Sequence, residues 1–199
     1  MQNLSFDPTL FTAAIAEHLA VVQTLSRDRE LLEQIARQMT AALLDGKKVV
    51  WCGNGGSAAD AQHLAAELVG RFLRERRALA SIALSTNTSI LTAIGNDYGY
   101  EHVFRRQVEA LCSKGDVVVG ISTSGNSPNV CLALEAARKQ GCITVSFTGR
   151  DGGKAAQIAE LALRAPSNET PRIQEAHILC GHILCDWVER GVCQHDFAK

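Results

Sequence analysis

Two stretches of this chain have the residue types to hold a small anionic ligand. The first is Ser122-Thr123-Ser124-Gly125-Asn126-Ser127, followed by Pro128. Four hydroxyls and an expected helix start meet there. A phosphate is well served by many neutral donors and the positive end of a helix dipole. A polar turn with a good helix cap would read the same way. No Gly-Lys-Ser/Thr follows, so this is not the loop of a nucleotide triphosphatase. The second stretch is Gly53-Asn54-Gly55-Gly56-Ser57. Its glycines allow a close backbone approach to a ligand, although an ordinary tight turn uses them too.

Acid, base and metal candidates lie nearby in sequence. His63 and Glu67 are spaced i, i+4, so a helix shows both on one face. Such a pair can share a proton, bind a divalent metal or simply be a surface pair. Near the other end stands RIQEAHILCGH, with Gln174 and His182. A histidine among apolar neighbours is often a core residue. Asn96-Asp97 is a further polar spot, with little standing on its own.

These residues need a frame. Lys48–Cys52, Ser81–Ser85, Asp116–Ile121 and Cys142–Phe147 read as strands, with Leu161–Ala165 as a weaker fifth. Helices are expected over Ser57–Arg71, Ser89–Ile94, Glu101–Leu111, Pro128–Gln140 and from Thr170-Pro171 to about Arg190. Alternating strands and helices argue for an α/β fold, a parallel five-stranded sheet flanked by helices. Both ligand loops then follow strands, where open α/β sheets bind ligands. Gly149–Gly153 reads as a loop.

Two helices precede the first strand. Asp7-Pro8 opens one that carries Ile15, Leu19 and Val22. The other carries Leu31, Leu32, Ile35, Met39 and Leu43 and stops near Asp45-Gly46. Their apolar faces could meet the sheet, each other or another subunit. The expected division is a helical extension over 1–46, with a role at an oligomer interface, and one domain over 47–199.

Composition bounds the function. The chain has 199 residues, 46% of them hydrophobic, and a formal net charge of −1. That supports a sizeable core and gives no electrostatic case for nucleic acid or an anionic membrane. No signal peptide and no bilayer-length apolar run is read from the sequence. The seven cysteines are scattered and odd in number, without a C-x-x-C pair, as expected of reduced thiols in a cytoplasmic protein.

The segments CGNGGSAADAQHLAAELVGRF, TAIGNDYGY, GDVVVGISTSGNSPNV, TGRDGGK and RIQEAHILCGHILC together resemble those of the sugar isomerase (SIS) domain proteins. The closest likeness is to the sedoheptulose 7-phosphate isomerases, also called phosphoheptose isomerases. The match runs in order from Cys52 to Cys185. The resemblance implies a flavodoxin-like SIS domain that converts D-sedoheptulose 7-phosphate into D-glycero-D-manno-heptose 7-phosphate. That step begins heptose supply for the lipopolysaccharide core. It also implies a cytoplasmic homotetramer with sites at subunit interfaces and one zinc per subunit.

By the same resemblance, His63, Glu67, Gln174 and His182 are the metal ligands. Asn54, Gly55, Gly56, Glu67, Asn96, Asp97, Ser122, Thr123, Ser124, Ser127 and Gln174 contact substrate. Glu67 and His182 form the acid/base pair. A carboxylate held fully by zinc is a poorer base, so the two roles of Glu67 are in tension. Gln174 and His182 are also about 12 Å apart along a straight helix. Zinc prefers tetrahedral angles, so a helix distortion helped by Gly181, or a neighbouring subunit's contribution, is expected. Two other readings fit the same fold: a non-catalytic regulator that binds the replication initiator protein, and a sugar-phosphate sensor. Retention of Glu67 and His182 favours catalysis.

Overall fold

The computed structural model describes residues 6–197. The elements in chain order are α1 (Pro8–Leu25), α2 (Arg29–Leu44), β1 (Val49–Gly53), α3 (Gly56–Val69), β2 (Ser81–Ala83), α4 (Thr88–Tyr98), α5 (Arg105–Leu111), β3 (Val117–Ser122), α6 (Pro128–Lys139), β4 (Ile143–Thr148), α7 (Gly153–Ile158), β5 (Leu161–Arg164) and α8 (Thr170–Phe197). Short 3-10 turns, Ser26–Asp28 and Tyr100–His102, join α1 to α2 and lead from α4 towards α5.

The five strands are all parallel, in the order β2-β1-β3-β4-β5. Successive residues of a strand face opposite sides of the sheet. Val49 and Trp51 of β1 and Val117, Val119 and Ile121 of β3 therefore join one apolar cluster with α2, α3 and α8. Val50, Cys52 and Val118 join the other, with residues of α5 and α6. Both faces are buried, which explains the near-continuous apolar strands. The strand order turns back between β1 and β3, and at such a switch point the loops diverge and leave a crevice. Those are the strands that carry the glycine-rich and serine-rich loops, and Gly53 pairs in register with Ile121.

The two N-terminal helices behave differently. The apolar face of α2 (Leu32, Ile35, Met39 and Leu43) enters the core shared with the sheet. Along α1 only Val21 and Leu25 are buried, while Leu10, Phe11, Ile15 and Leu19 are exposed. Asp7 caps α1 by accepting from the backbone N–H of Thr9 at 2.9 Å, with Pro8 in the first turn. His18 of α1 bonds to Glu175 of α8 at 2.8 Å.

Several bounds differ from the sequence expectation. The helix expected over Ser89–Ile94 runs to Tyr98, so Asn96 and Asp97 sit on α4 instead of after it. The last helix continues past Arg190 to Phe197. The loop expected over Gly149–Gly153 ends where a further helix, α7, begins. Gly152 and Gly153, both with positive φ, hid that helix start. No described helix is long and apolar enough to cross a membrane.

Candidate active site

The serine loop is shaped by its own side chains. Ser122 is buried, and its Oγ lies 2.9 Å from Ser127 Oγ and 3.5 Å from Ser124 Oγ. Ser124 Oγ accepts from the backbone N–H of Asn126 at 3.1 Å. Three hydroxyls thus gather at the start of α6, where free N–H groups and the helix dipole favour an anion. Thr123 is only half-buried between them.

The brace for this loop comes from the turn before α7. Gly125 has φ +67°, and a Cβ on it would lie 2.1 Å from the Gly152 carbonyl oxygen. Only glycine fits that approach and that backbone angle. The Gly125 carbonyl accepts from the Ala155 N–H at 2.8 Å, and Asn126 Oδ1 accepts from the Lys154 N–H at 3.1 Å. Gly149 donates its N–H to the Thr123 carbonyl at 2.9 Å. Beneath it, the buried His177 bonds through Nε2 to the Thr148 carbonyl at 3.0 Å. Burial pushes that imidazole down to about 4, against the opposing pull of its bond to Thr148.

The glycine loop opens α3. Gly55 has φ +53°, and a Cβ on Gly56 would meet Gln174 Nε2 at 2.3 Å. The side-chain amide of Gln174 therefore lies directly against this loop. Asn54 exchanges two amide hydrogen bonds with Asn129 of α6, at 2.9 and 2.8 Å, which ties the two loops together. Tyr100 Oη approaches Asn54 Oδ1 at 3.5 Å. Neither Asn129 nor Tyr100 stands out in the sequence. The one local signal for Asn129 is its place just after Pro128 at the helix start.

The acid, base and metal candidates converge from α3 and α8. His63 Nε2 and His182 Nε2 stand 2.8 Å apart, although 119 residues separate them in sequence. Glu67 Oε1 is 3.4 Å from His63 Nε2. Phe72 stacks on His182 with ring centroids 5.5 Å apart. Its position is fixed by the fully buried Glu189, which accepts the backbone N–H groups of Phe72, Leu73 and Arg74 at 2.8–3.0 Å. Arg76 donates to the Glu67 carbonyl at 2.8 Å and holds the end of α3.

Two imidazole nitrogens and a carboxylate oxygen facing one another are donors that zinc accepts. Among the described residues no three His, Cys, Asp or Glu side chains form a group that could hold a metal ion. The fit lies in donor type alone. α8 is helical throughout, Gly181 included. Gly181 serves packing: a Cβ there would meet Leu64 of α3 at 2.6 Å. That close approach of α3 and α8 is what lets His63 reach His182.

Asn96 and Asp97 are not drawn in. They are exposed in the last turn of α4 and bond to each other at 2.8 Å. Among the described residues no hydrogen bond ties them to either loop.

Comparison with known proteins identifies the family. The SIS domain family model matches residues 11–149. The phosphoheptose isomerase of Aquifex aeolicus is 56% identical over 185 residues, which is 93% of this chain and 95% of that protein. The phosphoheptose isomerase of Geobacter sp. strain M21 is 58% identical over 89% of this chain and 93% of that protein. Among solved structures, the phosphoheptose isomerase of Neisseria gonorrhoeae has a TM-score of 0.86 at 46% identity, covering 92% of this chain and 98% of that one. The corresponding structure from Francisella tularensis has a TM-score of 0.84 at 34% identity, over 92% and 95%. The family match runs from within α1 to just past β4. By fold and sequence, this chain belongs to the SIS domain family and, within it, to the phosphoheptose isomerases.

Proposed function

We propose that this isomerase converts D-sedoheptulose 7-phosphate into D-glycero-D-manno-heptose 7-phosphate, with the phosphate in the serine loop and the reacting carbons at Glu67 and His182. The observation that carries the reading is the convergence of His63, Glu67 and His182 from α3 and α8, in addition to a loop of gathered hydroxyls. A sensor or a regulator would need only the loop.

The reaction moves a proton between C1 and C2 through an enediol. Glu67 removes the C1 proton while His182 gives a proton to the C2 oxygen. In the second half, His182 takes the proton of the C1 hydroxyl and Glu67 delivers one to C2. Gln174 lies against Gly56 and would orient the sugar between the two ends. Zinc, held by His63, Glu67, Gln174 and His182, would supply carbonyl polarisation. With Glu67 as both ligand and base, its two roles alternate.

The same reading includes a cytoplasmic homotetramer. All seven cysteines are free thiols and six are buried, which suits a reducing compartment. The exposed apolar row on α1 suits a subunit contact.

The test is incubation with sedoheptulose 7-phosphate, with and without a chelator, with product identified by chromatography. Heptose 7-phosphate from the untreated protein, loss on chelation and recovery with zinc are expected. No product from the untreated protein would end the isomerase reading. Full activity after verified metal removal would end the zinc reading. Native mass spectrometry reads the subunit number.

A further inference from the structure

We propose that Asn129 is a positioning residue that sets the Asn54 side chain and, through it, locks the glycine loop to the serine loop. The proposal rests on the isomerase reading for its kinetic consequence, but its structural content stands apart.

Asn129 is the second residue of α6, only 3% exposed, and it belongs to neither loop. Its Oδ1 accepts from the backbone N–H of Val130 at 3.0 Å. A backbone N–H can only donate, so this contact fixes which end of the amide is oxygen. The Nδ2 group must then face Asn54, and it donates to Asn54 Oδ1 at 2.8 Å. Asn54 Nδ2 in turn donates to Asn129 Oδ1 at 2.9 Å. The direction of the Asn54 amide is therefore imposed from α6, 75 residues away in sequence. With its Oδ1 held, Asn54 also meets Tyr100 Oη at 3.5 Å.

The position of this pair gives it leverage. Gly53 ends β1 and is so close to Ser57 that a Cβ would lie 2.7 Å from the Ser57 carbonyl oxygen, so the loop has little slack there. Asn54 is the next residue, and Gly55 and Gly56 follow it past Gln174. α6 begins with the serine loop's last hydroxyl, Ser127, as its cap residue. The amide pair joins the loop after β1 to the start of α6, across the switch point between β1 and β3. Removing it leaves a buried amide unpaired and frees the Asn54 rotamer.

The experiment is a double-mutant cycle on kcat/KM with Asn54→Ala, Asn129→Ala and both together, alongside Asn129→Asp. Hydrogen exchange is followed in the peptide that holds residues 53–58. Asn129→Ala alone should lower kcat/KM by about 10-fold, the usual consequence of an unpaired buried partner. In the Asn54→Ala background the same change should have an effect of less than about 2-fold. Exchange in the glycine-loop peptide should rise in Asn129→Ala while β3 and β4 stay protected. A general folding defect would act equally in both backgrounds, so effects that multiply overturn the proposal. Unchanged exchange in the glycine loop also overturns it. If Asn129→Ala does not fold, Asn129→Asp keeps the shape, removes the donor to Asn54 Oδ1 and reads the same two quantities. If the wild type makes no heptose 7-phosphate, the isomerase reading fails alone, and the exchange comparison still decides the coupling.

Discussion

The two ends of the site are built on opposite plans. The serine loop is braced from within its own chain: its hydroxyls bond to one another, Gly125 interlocks with Gly152, and His177 sits buried beneath. The histidine–glutamate end is partly open. His63 is exposed, Glu67 and His182 are half-buried, and Asn96 and Asp97 face outward. On the proposed reading the serine loop holds the phosphate, which is the same before and after reaction, so it gains from rigidity. The reacting carbons would change shape and exchange protons at the other end, which needs groups free to change partners. The molecule has put its backbone constraints on the first and its titratable side chains on the second.

Glu67→Gln is the strongest test of that division. It keeps the size of the side chain but not the base, and should lower kcat by about 10²–10⁴-fold with little change in KM. A large KM change measured by steady-state kinetics would mean that the two ends are not separate. Gly125→Ala probes the opposite end. The φ of +67° and the Gly152 carbonyl leave no room for a methyl group, so the loop must shift. We expect KM to rise by about 10-fold or more, with kcat changed less.

His177 links the rigid end to pH. The unfolded chain takes up this proton near 6.5, whereas in the fold burial lowers the pKa to about 4. Stability should therefore fall as pH drops from 6.5 towards 4, by up to about 3 kcal/mol. Urea unfolding across that range measures the slope, and His177→Gln should flatten it. An unchanged slope in the variant would assign the acid sensitivity elsewhere. The smallest effect belongs to Ser127→Ala, which removes one hydroxyl contact to Ser122. A KM increase of about 3–10-fold is expected by the same kinetic assay. No increase would mean that the loop's backbone alone holds the phosphate.

Much of the frame was legible because its signals are local. Apolar strand runs, Asp7-Pro8 and the clustered hydroxyls declare themselves within a few residues. The helix α7 was missed because glycines with positive φ open it, and glycine normally reads as a break. The extent of α4 was missed because Gly95 interrupts its pattern.

What the sequence determined by itself is the chemistry in stock: a loop of hydroxyls, a glycine turn, a His63–Glu67 helix face and a late His182. Side-chain type and near-neighbour spacing are enough to set those. Only the tertiary structure decided how they meet. The parallel order puts β1 beside β3, and Gly181 lets α3 and α8 close until His63 reaches His182. Such contacts join residues a hundred positions apart, and no local propensity encodes them. They follow from packing both faces of one sheet.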